Sequence, residues 1–137
     1  MRIAVIYQSK TGNTRLVAEA IAKELHTCAW DIEEVKDLDC DLLVLGAGVY
    51  AARLDKKMRL FLASLEGTSA RRAALFGTSA GGRKPFGMMA AVLKKKGIPV
   101  DKDYFYCPGK WWKLHTDRPN EQDLEDARAW AKGLLEE

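Results

Sequence analysis

Apolar and polar positions fall in blocks along this chain, and the period changes from block to block. Arg2 to Tyr7 is β-branched and apolar, the pattern of a short buried strand. From Asn13 to Leu25 the period becomes helical, which predicts one apolar face of Leu16, Val17, Ala20, Ile21 and Leu25. Cys28 to Val35 alternates weakly and predicts an edge strand. Asp41 to Leu45 is almost wholly apolar, as a strand covered on both faces should be. A loop rich in small residues leads into a helix over Asp55–Leu65, where Met58, Phe61, Leu62 and Leu65 share a face.

The second half repeats the alternation. Arg71 to Thr78 predicts a fourth strand running out into Ser79-Ala80-Gly81-Gly82. Pro85 suits the first position of the next helix, with Met88, Met89, Val92 and Leu93 inward and Gly97 as its stop. Ile98 to Tyr106 predicts the fifth strand, and Pro108 to Pro119 a long loop. Asn120 to Leu135 closes the chain as a helix, capped by Asn120 with Asp123 and buried along Leu124, Ala127, Ala131 and Leu134.

Five strands alternating with helices predict an α/β fold, a parallel sheet with helices on both faces. The length of 137 residues suits one domain over residues 1–137. Right-handed crossovers leave few topologies, among them strand order 2-1-3-4-5. In that order ligands lie beyond the carboxyl ends of strands one and three. The Ser9–Thr14 loop and the Gly46–Leu54 loop would meet there.

Composition narrows the function classes. Apolar residues make up 47% and charged residues 30%, with a formal charge of +3. No apolar run approaches the roughly 20 residues of a membrane span. The chain opens on a strand rather than a leader, so a cytoplasmic location is expected. Basic clusters at Lys56-Lys57-Arg59, Arg71-Arg72, Arg83-Lys84 and Lys94-Lys95-Lys96 read as solvated faces; no nucleic-acid-binding module accompanies them. Cys28, Cys40 and Cys107 form neither a CxxC pair nor a zinc pattern with His26 and His115, so no metal site is expected. Cys107 is the thiol to watch, at a strand end beside a loop.

The densest chemistry is Ser9-Lys10-Thr11-Gly12-Asn13-Thr14. Gly12 permits a tight backbone, the amides of residues 10 to 14 can converge, and Ser9, Thr11 and Thr14 add hydroxyls. With the partial positive charge of a helix N-terminus, such a loop can hold a phosphate dianion without a cationic side chain. Lys10 is expected to point outward. The order is neither GxxxxGK[ST] nor GxGxxG, which argues against a Walker loop and a dinucleotide site.

The run Y-Q-S-K-T-G-N-T-R-L-V-A resembles the FMN-phosphate loop of flavodoxins, and the likeness continues through strand four. It implies a flavodoxin-like three-layer sandwich of order 2-1-3-4-5, FMN as cofactor, and Ser9, Lys10, Thr11, Gly12, Asn13 and Thr14 as phosphate-binding, largely through backbone amides. In the loop after strand three, the resemblance places Ala47, Gly48, Val49 and Tyr50 at the flavin. Tyr50 is a candidate stacking ring, and Gly46, Ala47 and Gly48 form the flexible backbone at N5. After strand four it places Thr78, Ser79, Ala80, Gly81 and Gly82 at the pyrimidine side. Flavodoxins commonly carry an aromatic residue there, and this chain has none before Phe86.

The C-terminal stretch C-P-G-K-W-W…R-P-N-E-Q-D-L-E-D-A resembles, more loosely, menaquinone-dependent protoporphyrinogen oxidases. Two readings follow. One is an FMN electron carrier, a one-electron shuttle between redox protein partners, a reductase and an acceptor. The other is a quinone-linked flavin oxidoreductase whose Pro108–Arg118 loop, with Trp111, Trp112 and His115, shapes a pocket. The carrier is favoured, because the chain is short and shows no nicotinamide site; no catalytic residue is assigned. A phosphoacceptor receiver is disfavoured: the strand outlets carry Tyr7-Gln8-Ser9 and Gly46-Ala47-Gly48 in place of its acidic residues. The basic balance departs from the acidic habit of flavodoxins, which points to an acidic partner surface or a locally acidic flavin edge.

Overall fold

The computed structural model describes residues 1–49, 54–79, 84–109 and 118–136. In chain order the elements are β1 (Ile3–Gln8), α1 (Asn13–Glu24), β2 (Ala29–Asp31), a 3-10 turn (Ile32–Glu34), β3 (Cys40–Val49), α2 (Lys56–Ser64), β4 (Ala70–Ser79), α3 (Lys84–Lys95), β5 (Phe105–Pro108) and α4 (Glu121–Leu134). The strands form one sheet in the order β2-β1-β3-β4-β5, every pairing parallel, as the alternation predicts.

Side chains alternate across that sheet and feed two cores. Ile6, Leu43, Leu45, Ala73 and Leu75 point to one face, where Met58, Phe61, Leu62 and Leu65 meet Phe86, Met89 and Leu93. Val5, Tyr7, Leu42, Val44, Ala74 and Phe76 point to the other, against Val17, Ile21, Ala127, Ala131 and Leu134. Helices α2 and α3 therefore cover one face, and α1 and α4 the other.

Several boundaries differ from the expectation. Leu16 lies half-exposed on α1, its place in the core taken by Ala18. On α3, whose second residue is Pro85, Met88 faces solvent and Phe86 turns inward to the core shared with α2. The edge strand β2 is only three residues long. Asp31 accepts from the Glu33 amide and Glu34 returns a bond to the Asp31 amide, so a capping box diverts the chain into the 3-10 turn. The fifth strand touches β4 once, at Val100 opposite Ala73, and resumes only at Phe105. Asp101, Lys102 and Asp103 interrupt it, and Asp101 is drawn to Arg72 at 2.8 Å. Strand β3 runs to Val49, so the first residues expected in a loop, Gly46 to Val49, belong to the ladder beside Phe76 to Ser79.

That extension changes the role of Gly46. It lies in register with Tyr7 and Phe76, and a Cβ there would fall 2.2 Å from atoms of the Phe76 ring. Its need for glycine is the close approach of a buried aromatic ring. Gly77, on the opposite face, meets the Phe86 ring in the same way. Gly46→Ala is expected to destabilise the fold by about 1–3 kcal/mol or more through overpacking, read as a lower denaturation midpoint at unchanged slope in urea.

Candidate functional site

The carboxyl ends of β1, β3 and β4 converge where the strand order reverses, and the loop from β1 to α1 crosses that point. Gly12 is the N-cap of α1 at φ +91°, a left-handed conformation that suits glycine, and a Cβ there would meet nothing within 4 Å. The loop is tied internally. The Gly12 amide donates to Ser9 Oγ at 3.0 Å, and Asn13 Nδ2 donates to Thr11 Oγ1 at 3.0 Å.

Helix α1 carries no side-chain cap on its first-turn amides. This sets it apart. Asp55 caps α2 by accepting from the Lys57 amide, and Asn120 caps α4 in a reciprocal box with Asp123. A helix N-terminus entered through glycine without a side-chain cap is suited to an anion. An aromatic or aliphatic group offers it no acceptor.

The floor of the loop is built from buried polar groups. Thr14 is fully buried, and its hydroxyl meets that of Thr78 at 2.8 Å, tying α1 to β4 directly beneath the anion cradle. Two hydroxyls hold two hydrogens and this bond uses one, so either hydroxyl can be its donor and the pair retains one hydrogen. Gly109 closes the far side: a Cβ on it would fall 3.0 Å from Asn13 Nδ2 and 3.0 Å from Thr78 Cβ. The β5 outlet thus braces the loop through a residue without a side chain.

Lys10 turns away from the cradle, as expected of it, and pairs with Asp55 at 2.9 Å. Asp55 also accepts from Gln8 Nε2 at 2.8 Å and from the Lys57 amide at 2.9 Å. One carboxylate therefore joins β1, the phosphate-type loop and α2. The Lys10 ammonium, the Lys57 amide and Gln8 hold its carboxyl below the usual carboxylate range against the opposing effect of burial. Beside it lies a cleft of about 440 Å³ lined by Gln8, Ser9, Lys10, Asp31, Glu33 and Lys57.

The structure brings together Ser9 to Thr14, Ala47, Gly48 and Thr78, with the backbones of Val49 and Ser79 at the ends of their strands. Tyr50, Ala80, Gly81, Gly82, Trp111, Trp112 and His115 lie outside the described residues. Sequence reasoning missed Asp55, Gln8 and Gly109. Asp55 shows locally only as a helix cap, and Gly109 only as one glycine after a proline; their contacts are between residues distant in the chain. Cys107 is buried within β5, and burial pushes its thiol up to about 12, so it is a core residue. Cys40, also buried, is pushed up to about 11.

Residues 4–110 match the flavodoxin domain family. The chain belongs to that family. This flavodoxin-domain chain is 27% identical over 155 aligned residues to the uncharacterized protein MJ0298 of Methanocaldococcus jannaschii, covering 98% of the chain and 99% of the relative. A flavodoxin from the domain Archaea superposes with a TM-score of 0.82 at 20% identity, over 99% of this chain and 97% of its own. Oxidised flavodoxin 1 from Bacillus cereus gives 0.79 at 18%, over 99% and 98%. The structural likenesses establish the fold, a flavodoxin-like α/β/α sandwich. Together, family and fold support a flavin-binding electron-transfer protein. No helix among the described residues is long and apolar enough to cross a membrane.

Two outcomes follow from this geometry. Thr14→Val keeps the shape but leaves the Thr78 hydroxyl buried without its partner, so it should cost about 1–3 kcal/mol in urea denaturation. The stability that ionised Asp55 contributes is present above the ordinary carboxylate pKa and is lost as pH falls through its lowered folded value. Asp55→Asn should therefore be less stable than the wild type at neutral pH, by the order of 1 kcal/mol, with the gap narrowing in acid.

Proposed function

We propose that this chain binds FMN and passes electrons one at a time between protein partners, a reductase and an acceptor. The observation that carries the reading is the uncapped, glycine-entered N-terminus of α1 at the switch point of the sheet. A phosphate monoester supplies acceptor oxygens to an N-terminus that has no side-chain cap of its own, and the helix dipole favours its negative charge. The backbone from Lys10 to Thr14 holds the phosphate, with the hydroxyls of Ser9 and Thr11 beside it. Ala47, Gly48, Val49 and Tyr50 line one edge of the ring, and Thr78, Ser79, Ala80, Gly81 and Gly82 the other.

The residues present fit such a group. The space above Gly12 is open, the donors around it are backbone amides, and the lysine of the loop is held elsewhere by Asp55. When bound, FMN supplies the redox chemistry. The chain's own part is to orient the phosphate, exclude water through the buried floor of Thr14 and Thr78, and present backbone groups at the strand ends.

Purified protein titrated with FMN should turn yellow and quench the flavin's fluorescence, and reductive titration should proceed in two resolved one-electron stages. Thr11→Ala removes a hydroxyl from the cradle without disturbing the buried Thr14–Thr78 pair. It should weaken FMN by about 1.5–3 kcal/mol, roughly tenfold to a hundredfold. Lys10→Met, which removes the tie to Asp55, should weaken FMN less than Thr11→Ala does. A protein that takes up no FMN, or one in which Lys10 dominates the affinity, defeats the reading.

A further inference from the structure

The net charge of +3 conceals a partition between the two helical layers. Helices α2 and α3 contain Lys56, Lys57, Arg59, Lys84, Lys94 and Lys95 and not one carboxylate. Helices α1 and α4 contain six acids, Glu19, Glu24, Glu121, Asp123, Glu125 and Asp126, against four bases. The α2 and α3 helices are thus basic, with the carboxylates of Asp55, Glu33 and Glu66 bordering α2, and the α1 and α4 helices are mildly acidic.

The basic layer is one continuous surface. Helices α2 and α3 share the core of Phe61, Leu62, Phe86, Met89 and Leu93, and Lys96 locks their far ends by donating to the carbonyls of Ala63 and Leu65 at 2.9 and 2.6 Å. Lys57 pairs with Glu33 at 2.6 Å, but Lys56, Arg59, Lys94 and Lys95 are exposed and form no ion pair among the described residues. Two apolar side chains stand out of these helices: Met88 on α3 at 43% exposure, and Leu60 on α2 at 60%, beside Ile32, Glu33 and Val35 of the 3-10 turn. Unpaired cations around a few exposed apolar side chains form the rim and core of a docking patch that lacks its partner. Both helices begin at the carboxyl ends of their strands, so Lys56 stands toward the candidate site and Lys94 and Lys95 at the opposite end of α3.

We infer that the α2–α3 face docks an acidic protein surface, the redox partner of this chain. The inference deepens the electron-carrier reading and rests on it for the redox character of the partner. Charge complementarity selects the class of occupant. A membrane surface asks for a broad apolar helix face; here the large apolar side chains Phe61, Phe86 and Met89 point into the core and only Leu60 and Met88 point out. A second copy meeting this face through its acidic α1–α4 layer would make a head-to-tail contact, which builds rings or filaments and is read as self-association.

The test uses the full-length, isotope-labelled protein titrated with poly-L-glutamate as the acidic surface, followed by amide chemical shifts. Shifts are expected on α2 and α3 and not on α1 or α4. They should fade as salt shortens the screening length from about 10 Å at 0.1 M to about 3 Å at 1 M. Arg59→Glu combined with Lys94→Glu should weaken binding about tenfold or more, while Arg128→Glu with Lys132→Glu on α4 should not. Arg59, Lys94 and Lys132 are exposed, and Arg128, half-buried, pairs with Glu121 within α4; circular dichroism checks that the folds match. Shifts on the other layer, indifference to the α2–α3 reversal, or tighter binding of phosphatidylglycerol vesicles to this face would overturn the inference. So would self-association through it at low salt. Because binding is read without reducing a flavin, its failure is separate from a failure to take up FMN.

Discussion

Strands β1, β3 and β4 are covered by helices on both faces, so their peptide groups have no water to turn to and must bond one another. A parallel sheet meets that demand only with crossovers that bring each strand back to the same end. Every loop after a strand is thereby delivered to one edge. The polar chemistry of the chain gathers at that edge because the rest of the sheet excludes it. Close packing imposes a second demand, visible at Gly46 and Gly77, where the rings of Phe76 and Phe86 lie across strand positions that admit no side chain.

The anion cradle is a consequence of those demands. Helix α1 starts where β1 leaves the sheet, and Gly12 turns the chain in a left-handed conformation that leaves the first amides without a side-chain cap. The buried Thr14–Thr78 bond then fixes the height of the helix against β4, and Asp55 ties the loop to α2 through Lys10. A donor cluster held from below and from one side is preorganised for a charged ligand, because little must move when the ligand arrives. The same division into layers separates the charges: the helices that follow β3 and β4 are basic, and those that follow β1 and β5 carry the acids.

Much of the fold was legible from local pattern. Helix α2 buries the face of Met58, Phe61, Leu62 and Leu65 that its spacing predicts, and Asn120 with Asp123 forms the reciprocal cap at α4. Pattern misled where another interaction outcompeted it. Periodicity places Leu16 and Met88 inward, but the faces that α1 and α3 present are set by what they pack against, and both side chains end in solvent. Apolar content predicts a continuous strand from Ile98, yet after the Asp101 amide bonds the Ala73 carbonyl the pairing with β4 lapses until Phe105.

By itself the sequence determined the order of elements, the parallel class and the glycine- and hydroxyl-rich loop, because strand and helix periods, caps and a left-handed turn are all written in neighbouring residues. The tertiary structure decided which of that loop's groups face an anion. The Thr14 hydroxyl shares a hydrogen bond with that of Thr78, sixty-four residues away, and Lys10 pairs with Asp55. It also decided that Gly46 serves the packing of Phe76, and that lysines scattered between residues 56 and 95 share one face. Those outcomes depend on contacts between residues remote in the chain, and such contacts exist only once the sheet has set strands and helices side by side.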